Sequence, residues 1–330
     1  MRECSAPGCA QQTRFGVAVT RRILVTGASG FVARALFSGK PADKKYVAIS
    51  RQAVELEGIP WQRSPELSGT ADWTPLLEGV DAVVHLAGRV HLAAGGDPSL
   101  YFAENSDGTA KLARDAGAAG VRRFVFLSSA KVLGDESGAT PLREDAPARP
   151  GDPYAASKLA AERALAGIGG AMQITILRPP LVYGPGVKAN FLALLAAVAR
   201  GVPLPLASIR NRRSLVGVEN LAAAIVACLE SPAAALRSYN VTDGPPVSTP
   251  GLVRALAEAL GRPARLFAFP PSALEAGGAM LGRGETVKRL TRSLELDDSA
   301  IRAELGWRPG TTFDAGIAQT ARWFRSLSKA

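Results

Sequence analysis

Tyr154 and Lys158 stand four residues apart in Tyr154-Ala155-Ala156-Ser157-Lys158. In a helix that spacing puts both side chains on one face, one turn above the other. An ammonium beside a phenol favours the phenolate, so a tyrosine whose free pKa is about 10 can exchange a proton nearer neutrality. Asp152-Pro153 supplies a helix start, and the helix is predicted from Tyr154 to Gly167. On spacing alone a surface tyrosine and a solvated lysine satisfy the same pattern, so the meaning of the pair depends on what positions it.

Upstream, the apolar run Arg22 to Thr26 leads into Gly27-Ala28-Ser29-Gly30-Phe31-Val32-Ala33 and then a helical Arg34 to Ser38. This is strand, glycine turn, helix. Gly27, Gly30 and Ala33 recur at three-residue spacing: the first makes a tight turn, the second lets backbone approach a pyrophosphate, and the third packs helix on strand. The backbone of Ser29, Phe31 and Val32, with the helix dipole, then faces the phosphates. Alone such a turn is an ordinary loop; its place at the first strand-to-helix junction makes it a dinucleotide site.

The second strand, Tyr46 to Ser50, ends at Arg51. An acidic residue there binds a ribose diol, whereas a basic one takes a 2′-phosphate. Arg51 therefore selects NADP(H) over NAD(H), unless it points to water. Glu66 and Leu67 occupy a turn placed to meet the adenine. The fourth strand, Asp81 to Leu86, ends in Ala87-Gly88, whose missing side chains permit close approach of the cofactor. His85 lies within that strand and reads as a core histidine; His91, in the following loop, is a candidate substrate contact. Two histidines without an acid cluster make no metal site. A helix from Leu100 to Ala119 carries Asn105 and Thr109 on one face. The fifth strand, Arg123 to Ser128, delivers Ser128 and Ser129 at its carboxyl end, and the sixth, Gln173 to Leu177, exits through Arg178-Pro179-Pro180.

Strands alternate with helices from 22 to 178, which predicts an α/β fold: a Rossmann-like, doubly wound parallel sheet forming a dinucleotide-binding domain over residues 21–178. Residues 179–330 read as a smaller, mostly helical substrate-binding domain, with about 214–242 rejoining the first domain, and residues 1–20 as an irregular leader.

The chain has 330 residues, 47% hydrophobic and 21% charged, the balance of a soluble globular protein. Its longest apolar runs, Phe191 to Ala199 and Leu221 to Leu229, fall short of the roughly 18 residues a membrane span needs. With no signal-peptide stretch at the start, a cytoplasmic protein is expected. Three cysteines, Cys4, Cys9 and Cys228, cannot build a disulfide framework. A net charge of +10 suits nucleic acid, an anionic membrane or a phosphorylated small molecule. Basic residues are scattered, and the densest group, Arg210, Arg212 and Arg213, lacks an aromatic platform, so neither nucleic acid nor membrane is expected and a small polyanionic ligand is.

Thr26 to Phe31, His85-Leu86-Ala87-Gly88, Asn105 to Thr109, Ser128-Ser129-Ala130, Tyr154 to Lys158 and Arg178-Pro179, in that order and spacing, resemble the extended short-chain dehydrogenase/reductases, in their nucleotide-sugar epimerase/dehydratase branch. The resemblance covers residues 21 to 325. It implies that Tyr154 donates or removes a sugar hydroxyl proton, that Lys158 holds the nicotinamide ribose and lowers the tyrosine pKa, and that Ser129, 25 residues before Tyr154, bonds the reacting oxygen. It further implies that Leu86, Ala87, Gly88 and Pro179 line the cofactor, that Asn105 stabilises the architecture where cofactor meets catalytic helix, that Ser128 and Lys131 lie by the sugar, and that Asn190 and Arg213 meet the diphosphate of a UDP-sugar. A homodimer through a helix pair that includes the Tyr154 helix is implied as well.

Departures from the family narrow the reaction. Ala130-Lys131 stands where 4,6-dehydratases have Asp-Glu, which argues against dehydration, and Lys131 and Leu133 stand where many epimerases have Thr and Tyr. Arg89-Val90-His91 and Gly186 to Phe191 resemble UDP-4-keto-6-deoxy-N-acetylhexosamine reductases of polysaccharide synthesis. The expectation is therefore an enzyme that uses NADP(H) or NAD(H) to reduce the C4 ketone of such a sugar. A UDP-sugar 4-epimerase acting on UDP-glucose or UDP-N-acetylglucosamine is the first alternative. A catalytically silent cofactor-binding sensor is the second, and an intact Ser129, Tyr154 and Lys158 counts against it.

Overall fold

The computed structural model describes residues 22–39, 44–92, 96–168, 170–231 and 237–327. The expected leader at 1–20, with Cys4 and Cys9, lies outside them. Seven parallel strands form the main sheet: β1 (Arg22–Thr26), β2 (Lys45–Ser50), β3 (Trp61–Arg63), β4 (Ala82–His85), β5 (Arg123–Leu127), β6 (Gln173–Arg178) and, after the two short strands β7 (Leu181–Tyr183) and β8 (Leu215–Gly217), β9 (Arg237–Asn240). The order across the sheet is β3-β2-β1-β4-β5-β6-β9, while β7 and β8 pair separately. Helices fill the gaps: α1 (Phe31–Ser38), α2 (Thr74–Leu77), α3 (Ser99–Phe102), α4 (Thr109–Ala118), α5 (Pro153–Ala166), α6 (Ala189–Ala199), α7 (Val218–Glu230), α8 (Thr249–Leu260), α9 (Pro271–Met280), α10 (Gly284–Thr291), α11 (Ser299–Leu305) and α12 (Phe313–Leu327).

A strand alternates its side chains between two faces, and both faces of this sheet are dry. Ile23, Val25, Val84, Val125 and Leu177 pack on one side with α1 and α7 residues such as Leu36 and Ile225. Their neighbours Leu24, Val83, Phe124, Phe126 and Ile176 pack on the other with Trp73, Leu112 and Leu165 from α2, α4 and α5 and the turn before α2. A third core gathers Tyr183, Phe191, Leu195, Val253, Leu256 and Ile317, joining α6, α8 and α12 into a helical layer. Strand order reverses at β1 and β4, so the crevice outside their carboxyl ends is where a ligand lies in an open parallel sheet. Among the described residues no helix is long and apolar enough to cross a membrane, and no cluster of His, Cys, Asp or Glu could hold a metal ion.

Two local features bear on the crevice. α5 starts as its sequence dictates, with Asp152 accepting a hydrogen bond from Ala155 N (2.8 Å) and Pro153 in the first turn. The helix expected from Leu100 to Ala119 runs from α3 into α4 through a π-helical turn, Ala103–Gly108. Such turns interrupt the regular ladder and re-aim side chains; this one buries Asn105.

Candidate active site

Thr26 ends β1, and Gly27 follows with φ of +69°, a left-handed conformation in which a side chain would be strained. A Cβ at Gly27 would stand 2.7 Å from Ala87 N, so the turn after β1 and the end of β4 press backbone to backbone. Ala87 N also donates to Thr26 Oγ1 (3.3 Å). One residue further, a Cβ at Gly88 would meet Asn105 Oδ1 at 2.8 Å and Lys158 Nζ at 3.4 Å. The missing side chain at Gly88 thus lets Asn105 and Lys158 come against the loop after β4. By these contacts the glycine turn and the lysine of α5 lie on one crevice.

Asn105 is wholly engaged within the protein. Its Oδ1 accepts from Arg89 N (2.7 Å), and its amide donates to Arg89 O (2.9 Å) and Ser157 Oγ (3.0 Å), tying the loop after β4 to α5. His85 is 0% exposed, with Nδ1 2.6 Å from Thr26 Oγ1 and Nε2 2.9 Å from Thr109 Oγ1. Burial, helped by the charge of Lys158, pushes its pKa down to about 3, so it is a neutral core histidine.

Lys158 is buried, and its ammonium donates to Leu127 O (2.9 Å) and sits 4.5 Å from the Phe126 ring centroid. Burial pulls its pKa down to about 8 against the supporting charge of Glu162. Tyr154 hydrogen-bonds with Ser129, which favours the phenolate, but burial is the larger effect and, with Asp152 and Tyr101 nearby, raises the phenol to about 12. The lowering expected from Lys158 is therefore not what the free protein shows: the ammonium is engaged by the β5 carbonyl, and desolvation of the phenol dominates.

Ser128, expected by the sugar, is engaged within the protein. Its hydroxyl donates to Glu162 Oε1, and Glu162 also accepts from Arg178 Nη2 (2.6 Å) and Nε (3.1 Å) in a pair buried at the ends of β5, β6 and α5. Glu162 lies one turn beyond Lys158, so successive turns of α5 grip Leu127 and Ser128, the two residues that lead into Ser129. Pro179 O accepts from Ala130 N (2.9 Å) and fastens the other side of that loop. This triad of Ser128, Glu162 and Arg178 escaped the sequence reading because a glutamate and an arginine look like solvated charges until the fold buries them.

Lys131 is also engaged elsewhere: its ammonium pairs with Asp152 and lies 3.4 Å from Asp135. Arg213 donates to Arg292 O (2.9 Å), and burial together with the adjacent Arg289 holds its pKa below the usual arginine value. Arg289 reaches within 3.9 Å of Asp152, so α10 carries a second guanidinium to this crevice that sequence reading missed. Asn190 is exposed in the first turn of α6, beside Ala189, a left-handed non-glycine residue with φ of 53°. Arg51, Glu66 and His91 are exposed, while Leu67 packs on Gly108 of the π-turn, where a Cβ would meet Leu67 Cγ at 2.7 Å.

The residues fit an anionic dinucleotide. α1 has neither a side-chain cap nor an acidic residue in its first turn, which leaves the N–H groups of Phe31 and Val32, next to the exposed Ser29, without a side-chain acceptor, while Gly30 N donates to Gly27 O (2.8 Å) and closes the turn. Lys158 makes one hydrogen bond to protein and has two further donors. A separate cavity of about 1170 Å³ between α1, α6, α7 and α12 includes Ser29 and Phe31 in its lining, but none of Ser129, Tyr154 or Lys158.

Residues 23–242 match the NAD dependent epimerase/dehydratase family. The chain belongs to that family. It is 37% identical over 313 residues to a UDP-glucose 4-epimerase of Vibrio cholerae, covering 92% of this chain and 95% of that one. A GDP-6-deoxy-D-mannose reductase of Pseudomonas aeruginosa is 31% identical over 256 residues, 73% of this chain and 80% of its own. The structure of MoeE5 in complex with UDP-glucose and NAD superposes with a TM-score of 0.72 at 25% identity, covering 93% of this chain and 99% of that one. The protein is thus an enzyme of an NAD-dependent nucleotide-sugar epimerase, dehydratase and reductase family on a Rossmann-like fold.

Proposed function

We propose that the protein is a UDP-sugar 4-epimerase acting in the cytoplasm. What supports the reading is Ser129 next to Tyr154, Lys158 against Gly88 of the loop that packs on the glycine turn, and a chain alike over nearly its whole length to a UDP-glucose 4-epimerase. A nicotinamide dinucleotide bound there would supply the hydride acceptor for C4 of the sugar and the donor that returns hydride to the opposite face of the ketone. Tyr154 takes the proton of the C4 hydroxyl and gives it back. Ser129, already bonded to Tyr154, holds the reacting oxygen. Lys158 would hold the ribose hydroxyls with its two remaining donors.

Arg213 and Arg289 are like charges held together, an arrangement that a diphosphate between them relieves. Asn190 offers an amide to the same group. In this reading Lys131 acts through Asp152, and the sugar does not touch it. A homodimer through the layer that contains α5 belongs to the same reading.

The purified enzyme should release NAD on denaturation and convert UDP-glucose or UDP-N-acetylglucosamine to its 4-epimer with no cofactor added. A nucleotide-free preparation that consumes NAD(P)H only when given a UDP-4-keto sugar overturns the epimerase and leaves the reductase, our second reading. One observation favours that second reading: Arg51 is exposed at the end of β2, where a 2′-phosphate would be met.

A further inference from the structure

The outer face of α9 has no charge. Ala273, Ala276, Ala279 and Met280 are exposed on it, whereas the helix's one charged residue, Glu275, turns inward to accept a hydrogen bond from Thr291 Oγ1 (2.5 Å). Gly278 is buried on Val287 of α10, where a Cβ would meet Val287 Cγ2 at 2.5 Å. Leu274 packs inward as in any surface helix, but the charges that such a helix turns outward are missing here. The apolar strip continues past both ends of the helix. Met280 is 88% and Leu281 78% exposed at the turn into α10, and Phe267 and Phe269, 46% and 38% exposed, precede α9. Contiguous apolar exposure of this kind marks a docking surface.

Charge says what docks there. Exposed Arg262 and Arg265 precede the strip, exposed Arg283 follows it, and across residues 261–284 the inward Glu275 is the one acid. A second copy of this chain seated across a two-fold axis would set these arginines against their own images, and the exposed acid just past the strip, Glu285, is already paired with Lys288 (2.9 Å). An anionic bilayer surface answers all of them.

We propose that α9 and its flanks dock on an anionic lipid surface, with α9 in the plane of the headgroups, Met280 and Leu281 entering the acyl boundary, and Arg262, Arg265 and Arg283 on lipid phosphates. This is peripheral attachment, which needs no spanning helix and combines two individually weak signals, apolar insertion and cationic attraction. It revises the expectation of no membrane partner: the scattered arginines that argued against one in the sequence are met in the fold by an apolar ridge. The same hairpin carries Arg289, so attachment sits next to the substrate crevice, yet the inference is independent of which sugar is bound.

The test is co-sedimentation of the full-length protein with sucrose-loaded vesicles of mixed phosphatidylglycerol and phosphatidylcholine, against vesicles of phosphatidylcholine alone. The protein should pellet with the first and not the second, and binding should weaken as salt is raised. Met280→Glu combined with Leu281→Glu should abolish pelleting while the melting temperature stays unchanged, since both positions are solvent-exposed. Arg283→Ala should weaken binding by about fivefold. The proposal is overturned if the protein stays in the supernatant with both vesicle types, or if the double variant still pellets. It is equally overturned if light scattering shows a dimer that the double variant converts to monomer, because a second copy then covers the strip.

Discussion

Replacing Glu162 with glutamine keeps the shape of the side chain and removes its charge. The carboxylate is 5% exposed and bonds Ser128 and both ends of the Arg178 guanidinium, which is itself 8% exposed. Without it, Arg178 retains Glu144 O (2.8 Å) and a buried charge with no counter-ion. Losing one partner of such a pair costs about 3–5 kcal/mol, a large part of the roughly 5–15 kcal/mol that holds an ordinary domain together. Urea unfolding of Glu162→Gln should show that loss.

A second effect separates positioning from mere stability. Burial lowers the Lys158 pKa and Glu162 raises it, and the balance is about 8. The groups facing Lys158 are Glu162 on its own helix, neutral His85 of β4, the Phe126 ring and Leu127 O of β5, and the Asn105 amide at Gly88. Glu162 is thus the one counter-charge among them. With the ammonium holding the cofactor as proposed, affinity should be full below the Lys158 pKa and fall above it. The wild-type break belongs near pH 8 and the Glu162→Gln break at lower pH, read by quenching of protein fluorescence on titration with NAD(H) and NADP(H). The double change Glu162→Leu with Arg178→Met should recover much of the stability, because an apolar pair replaces a buried ionic one at little cost, but not the pH break. An unmoved break in Glu162→Gln, or a stability loss below about 1 kcal/mol, would refute the reasoning.

Lys158→Met should abolish turnover yet stabilise the free protein. The lysine pKa falls from 10.5 unfolded to about 8 folded, so the unfolded chain holds more protons between those values and stability rises with pH across that window. At neutral pH the penalty is about 3 kcal/mol, and calorimetry should show the variant free of it. Tyr154→Phe should lower turnover by about 10²- to 10⁴-fold with cofactor affinity retained; loss of affinity instead would assign the phenol to binding. His85, at about 3, should show no imidazole titration by NMR between pH 5 and 8. Arg51→Asp should weaken NADP(H) more than NAD(H) in binding titrations, and an equal effect would place Arg51 in water.

The parts of the fold legible in the sequence are those with strong local periodicity. β1, β2, β4, β5 and β6 are apolar runs because both faces of the sheet are covered, and Asp152-Pro153 announces α5. β3 and β9 escaped notice because each borders one neighbour at a sheet edge and reads as Trp61-Gln62-Arg63 or Arg237-Ser238-Tyr239-Asn240. The π-turn leaves no mark in the hydrophobic pattern and shows only in where Asn105 points. Tyr154 and Lys158 were legible because helix geometry fixes their relation. Their electrostatics were not, since desolvation of the phenol and the pull of Leu127 O on the ammonium come from strands far off in sequence. Ser128 and Lys131 are each held by a carboxylate of α5 or its cap, a partner that the local sequence does not announce.

The central claim, that Tyr154 and a bound nicotinamide dinucleotide act reversibly on C4 of a UDP-sugar, is tested most directly by proton NMR of UDP-glucose deuterated at C4, incubated with purified enzyme and no added cofactor. The account predicts UDP-galactose that keeps its deuterium at C4, since the isotope leaves and returns on the same carbon without meeting water. Deuterium washed out to solvent, or an unchanged spectrum from an enzyme shown to hold NAD, would contradict it.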